Sequence, residues 1–106
     1  MSNLQTTIES SPRLGGFIKV SKESISELHF PKSEVLFNTN DQAKRNSDLE
    51  QAIRLGNLYH SKVTIGFEDI EGLKRVETTV WGVTDSEVIL KKNLTIPINR
   101  IVSINY

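Results

Sequence analysis

The chain contains no cysteine, and that absence removes disulfides, thiolate nucleophiles and Cys-ligated zinc together. It carries no net charge, since 13 Lys and Arg balance 13 Asp and Glu. No overall field therefore draws it towards nucleic acid or anionic lipid. It has no run of about 18 apolar residues, the length a membrane-spanning helix needs. The opening MSNLQTTIESSPRLGG lacks the apolar core of a secretory signal. Neither secretion nor a membrane span is expected, and a chain without cysteine suits a reducing compartment, so the expected location is the cytoplasm. Histidine is scarce: His29 and His60 are the only imidazoles, and they do not fall at the HxxxH spacing that holds a metal from one helix face. No nucleophile stands beside a base, and Gly15-Gly16 is too short a signal for a phosphate cradle. No catalytic residue, metal ligand or cofactor is expected.

What is present is concentrated in Lys62 to Tyr106, where short β-branched runs are separated by turn-forming clusters. KVTIGF alternates, with Val63, Ile65 and Phe67 on one face and Lys62, Thr64 and Gly66 on the other, so one face is expected to be buried. RVETTVWGVT, Arg75 to Thr84, is about ten residues long against a usual strand of five or six. Its apolar phase slips: Val76, Thr78 and Val80 share one face, Trp81 and Val83 the other. Gly82, beside that slip, marks a bulge or sharp bend. A long strand bent there lets each half serve a different sheet, which is how small barrels close. Asp85-Ser86 then turns the chain into EVILK, and Lys92-Asn93 turns it into LTIPI. Pro97 ends that strand because it has no N–H to donate, and INR after it allows one helical turn before IVSINY.

Upstream, residues 1 to about 15 are polar and read as irregular unless docked. FIKV is a short strand candidate. Ser21 or Ser24 caps a turn or two of helix, with Ile25 and Leu28 facing inward, before Pro31. Glu34 to Asn38, EVLFN, is a better strand candidate. Asn38 to Asn46 is uniformly polar and reads as a surface linker, which places a boundary between an extension, 1–46, and a folded unit, 47–106. Ser47 opens the clearest helix, with Glu50 completing a capping box; Leu49, Ala52 and Ile53 share a face, and Gly56 or Asn57 stops it. Leu58 and Tyr59 are expected to pack beneath the strands. A unit of roughly 60 residues buries only about 60% of its unfolded surface. Its small core therefore needs either the N-terminal segment or a second copy along an exposed strand edge.

A helix, five strands, an acidic turn with Glu68, Asp69, Glu71 and Gly72, and a one-turn helix before the last strand resemble the Sm-like β-barrel. More narrowly, the pattern from Ser47 to Tyr106 resembles the Rof-type inhibitors of the Rho terminator. The resemblance implies a mainly β fold: a short helix followed by a five-stranded, strongly bent antiparallel Sm-like or SH3-like barrel. In Sm relatives it also implies rings formed by edge pairing. The chain is similar, too, to small proteins with an ETTVWGVT-like strand followed by a TIPI-like one, a likeness that implies no function. Sm proteins read RNA bases with an Asp, an apolar residue and an Asn, then an Arg-Gly pair. Here Asp85 stands at a suitable turn, but Ile89 occupies the place of the Asn and Arg100 is not followed by Gly.

The candidate interaction surface is Trp81, Lys91, Lys92 and Arg100. Exposed, Trp81 would be a stacking platform or interface anchor; buried, it would cap the core against Tyr59 or the N-terminal segment, and burial is the expectation. Lys91 and Lys92, with Lys62, Lys74, Arg75 and Arg100, would form a basic patch if they converge; hairpin lysines more often guard an edge. Glu68, Asp69 and Glu71 lack the ligand ladder of a calcium loop and read as a solvated turn. These residues point to a non-enzymatic protein-binding or adaptor module, with a protein partner or self-association. The alternative is an RNA-binding Sm-like oligomer without the usual base-reading residues.

Overall fold

The computed structural model describes residues 16–106; the segment 1–15, expected to be irregular, lies outside the described residues. Among the described residues one α-helix, α1 (Thr39–Tyr59), accompanies seven strands: β1 (Ile18–Lys19), β2 (Val63–Asp69), β3 (Gly72–Thr78), β4 (Val80–Val83), β5 (Glu87–Leu90), β6 (Thr95–Pro97) and β7 (Ile101–Asn105). They form two sheets, of order β1-β3-β2-β7 and β4-β5-β6. The class is α+β. All five expected strands are present, the long one divided at Thr79 into β3 and β4, so that its halves do serve different sheets. The sheets are not joined by strand pairing into a closed barrel. Nor is the pairing all antiparallel, because β1 joins β3 in parallel. A strand returning from the N-terminal segment is not tied to its neighbour by a hairpin, so nothing local imposes the antiparallel sense.

The alternation in β2 works as expected: Val63, Ile65 and Phe67 are buried, and from β3 and β4 Val76, Thr78 and Val80 join them. Val88, Leu90, Ile96, Ile101 and Ile104 complete the core with Leu49 and Ala52 of α1. The N-terminal segment contributes as well. Ile25, on a two-turn 3-10 helix over Lys22–Glu27, is buried, and the Phe30 ring lies 5.8 Å from that of Phe67. A core too small for the strands alone is thus completed by residues upstream of the helix.

Helix α1 corrects the reading of Asn38 to Asn46 as a linker. It spans 21 residues from an N-cap at Asn38, so the expected boundary at 46/47 falls inside it and Ser47 caps nothing. The Asn38 side-chain oxygen accepts from the Asn40 N–H at 2.7 Å and the Asp41 N–H at 3.4 Å. Polar residues hold its first turns because their contacts are ionic. Arg45 donates to both Glu34 carboxylate oxygens at 2.7 Å and to the Ile101 carbonyl at 3.1 Å, and Lys44 pairs with Asp48 at 2.8 Å. The helix runs through Gly56 and Asn57 and ends at His60, whose φ of 55° closes the last turn. Glu34 to Asn38, expected as a strand, forms none. Its acid is drawn to Arg45, and Val35 donates only to the Asn99 carbonyl.

Two charged residues expected at the surface are interior. Asp69, in the acidic turn, has a side chain 1% exposed and paired with Lys74 Nζ at 2.7 Å; its other oxygen accepts from the Glu71 and Gly72 N–H groups. The turn is therefore not simply solvated. Arg100, on the expected one-turn helix Ile98–Arg100, is 5% exposed. It donates to the Glu68 carbonyl at 3.0 Å and to the Ser33 carbonyl at 2.8 Å, fastening the N-terminal segment to β2.

Candidate functional site

Strand β4 presents the most prominent unexplained apolar surface near the sequence candidates. Val80 is buried, but Trp81 is 53% exposed and Val83 is also exposed. The expectation that Trp81 is buried is overturned by the bulge that carries it. Val80 pairs with Leu90 and Gly82 with Ile89, leaving Trp81 as the extra residue, so its indole is turned outward while Val80 keeps its place in the core. The irregularity falls immediately before Gly82, as expected. Gly82 itself is not demanded by it: its φ is not positive, and an added Cβ would meet nothing within 4 Å.

The end of α1 lies against the same strand. A Cβ on Gly56 would sit 2.0 Å from the Val80 carbonyl oxygen, so helix and strand backbones are in direct contact there. Tyr59, three residues on, shares that helical face. Leu58 and Tyr59, expected beneath the strands, are both exposed, because Gly56 and Ala52 already fill the contact and the chain turns away at His60. The Thr79 hydroxyl donates to the His60 carbonyl at 3.5 Å, and the Lys91 N–H donates to the Thr79 carbonyl at 3.1 Å. Trp81 thus stands on backbone fixed from two sides. Val83 is already on the Trp81 face by its apolar phase, whereas the exposure of Tyr59 follows only from where the helix ends.

The basic residues do not all converge at the surface, so the conditional basic patch loses Lys74 and Arg100. Lys91 and Lys92 are exposed on the 3-10 turn after β5, with Lys92 Nζ 3.9 Å from Glu23. Lys74 and Arg100 are buried and internally paired, and Arg75 is half-buried. Of the four candidate residues, Trp81, Lys91 and Lys92 remain available and Arg100 is withdrawn. Among the described residues no group of three or more His, Asp or Glu gathers to hold a metal. No described helix is long and apolar enough to cross a membrane.

Three of the four sheet edges, β4, β6 and β7, have a neighbouring element packed against them, while β1 at the fourth edge has both residues exposed. Helix α1 packs along β7 and along β4, with Arg45 on the Ile101 carbonyl and the Tyr106 hydroxyl on Asp48 at 3.2 Å. The Lys22–Glu27 helix lies on β6. An α+β chain with one helix, two short sheets and an exposed indole at their junction is the class that these features define. Set against protein-family models, curated proteins and solved structures, the chain matches none of them.

Proposed function

We propose that the protein is a non-enzymatic protein-binding or adaptor module of the cytoplasm, engaging a protein partner through the β4 face around Trp81. Its strand plan is read as a variant of the Sm-like or SH3-like barrel. Three features support that plan: a helix before the first long strand, a second strand shared between two sheets, and a last strand returning to β2 after one helical turn. The observation that carries the function is the half-exposed indole on a strand paired with β5 and packed against α1. Large aromatics displayed on fixed backbone are the residues on which interfaces concentrate their energy. The elements packed on β6 and β7 weigh against strand-edge pairing there, β1 being only two residues long, and the inward turn of Lys74 and Arg100 weighs against the RNA-binding oligomer. The absence of cysteine fits a reducing compartment.

Trp81→Ala is expected to remove the partner recovered by the wild-type protein as bait, since truncating an interface anchor costs about 2 kcal/mol or more, roughly 30-fold in affinity. Gly82→Ala, with open space for its Cβ, is the matched control and is expected to retain it. Recovery of the same partner in equal yield by Trp81→Ala would refute this face. Retention of RNA that falls steeply with salt would favour the alternative instead.

A further inference from the structure

A cleft of about 730 Å³ lies between α1 and the four-stranded sheet, within the roughly 300–1,000 Å³ typical of small-molecule sites. Its floor is a row across the sheet in which Arg75 faces Gly66 and Gly66 faces Ser103. These residues alternate with the buried Val76, Ile65 and Phe67, so they belong to the sheet surface turned away from the core. The missing side chain at Gly66 leaves a trough for the Phe17 ring: a Cβ there would lie 2.7 Å from Phe17 Cε2 and 2.7 Å from Ser103 Oγ. Leu36 and Leu73 add apolar wall, and α1 supplies Asp41, Lys44, Arg45 and Asp48.

The charges in this wall are incompletely matched. Lys44 has Asp48 and Arg45 has Glu34, whereas Arg75 on the sheet and Asp41 on the helix make no ion pair among the described residues. Three buried side-chain polar atoms among the described residues lack a hydrogen-bond partner: Arg45 Nε, Arg75 Nε and Thr78 Oγ1. Two of the three belong to residues lining this cleft, Arg75 and Arg45, the latter also lining a second cleft beside Glu34 and Pro97. Arg45 is 93% buried in the sense that only 7% of its surface is exposed, so its Nε–H has little recourse to bulk solvent. Buried donors without acceptors are rare because desolvating them is costly, and an absent anion or water is the ordinary explanation. Asp41 and Asp48 in the same wall disfavour a ligand of high negative charge.

We propose that the cleft binds a monoanionic carboxylate with a small apolar body. The carboxylate accepts from the Arg75 guanidinium, whose Nε–H has no partner among the described residues. The body lies along Phe17, Leu36 and Leu73. This site is separate from the Trp81 face and stands whether or not that face binds a protein.

The test is amide chemical-shift titration of the full chain with three probes: decanoate below its micelle concentration, decanol, and inorganic phosphate. Decanoate is expected to shift Gly66, Arg75 and Ser103 saturably, with decanol at least ten-fold weaker and phosphate without effect. Arg75→Gln, confirmed as folded by its dispersed spectrum, is expected to weaken decanoate at least ten-fold and leave decanol unchanged. Should that variant unfold, Arg75→Lys, which keeps the charge but lacks the planar fork, is expected to give an intermediate loss. Shifts that never saturate, shifts centred on Trp81, phosphate binding equal to decanoate, or undiminished decanoate binding without the Arg75 guanidinium would each overturn the proposal.

Discussion

Replacing Lys74 with Met is expected to destabilise the protein by about 3–5 kcal/mol, the usual cost of removing one partner from a buried ion pair. Asp69 would be left with a side chain 1% exposed and no counter-charge. The second arm of Lys74, to Glu71 at 2.8 Å, involves a largely exposed carboxylate and contributes little. Adding Asp69→Asn to the variant is expected to restore much of the loss, because an amide oxygen still accepts from the Glu71 and Gly72 N–H groups without needing a cation. Urea unfolding at neutral pH measures both variants, and an unchanged m-value keeps the comparison between like states. Equal stability of Lys74→Met and wild type would show that the pair is not holding the turn.

The pH dependence supplies a second readout of the same pair. Burial pushes the Asp69 carboxyl up, but the Lys74 ammonium and the Glu71 and Gly72 N–H groups outweigh it and hold the group below its ordinary value of 3.8. Glu34 is held below 4.5, chiefly by its hydrogen bond to Arg45, against the opposing effect of burial. Both depressed carboxylates bind protons more readily in the unfolded chain. The stability they contribute is present above those ordinary values and lost as pH falls through the lowered native ones. Wild type is thus expected to lose stability in acid. Lys74→Met, in which the cation opposing burial is gone, is expected to show a shallower acid loss, retaining the Glu34 share. Parallel acid profiles would contradict the assignment.

Gly56→Ala is expected to destabilise, although in an exposed helix interior the same change stabilises by about 1 kcal/mol. The new Cβ would fall 2.0 Å from the Val80 carbonyl oxygen. That atom is backbone and cannot rotate aside, so α1 must move off β4. Forced repacking of this kind costs about 1–3 kcal/mol and occasionally more. Thermal unfolding gives the sign directly. A raised melting temperature would mean that helix and strand are not in contact there. The movement would also loosen the backbone beneath Trp81, so a reduced affinity for the partner is expected alongside the lower stability.

Most of the strand content was legible because period-two alternation requires no partner to be visible: Val63, Ile65 and Phe67 declare a buried face whatever covers it. The bulge before Gly82 and the single helical turn after Pro97 were legible for similar local reasons. The first turns of α1 were not. Their residues are polar, and what keeps them helical is Arg45 reaching Glu34 and the Ile101 carbonyl, 11 and 56 positions away in sequence. The interior placement of Lys74 and Arg100 was hidden by the general rule that charges stay in water, which fails where each finds carboxylate or carbonyl acceptors in the fold.

The sequence by itself determined the five strands after Lys62, most of their inward faces and the absence of cysteine chemistry, since these follow from side-chain type and spacing along the chain. The tertiary structure alone decided which charges are solvated, where the helix begins, that Trp81 faces outward, and that two arginines share a cleft without an acceptor for every donor. Each of those depends on what distant segments bring within a few ångströms. Proximity between remote residues is a property of the packed chain and is not written in any local run of it.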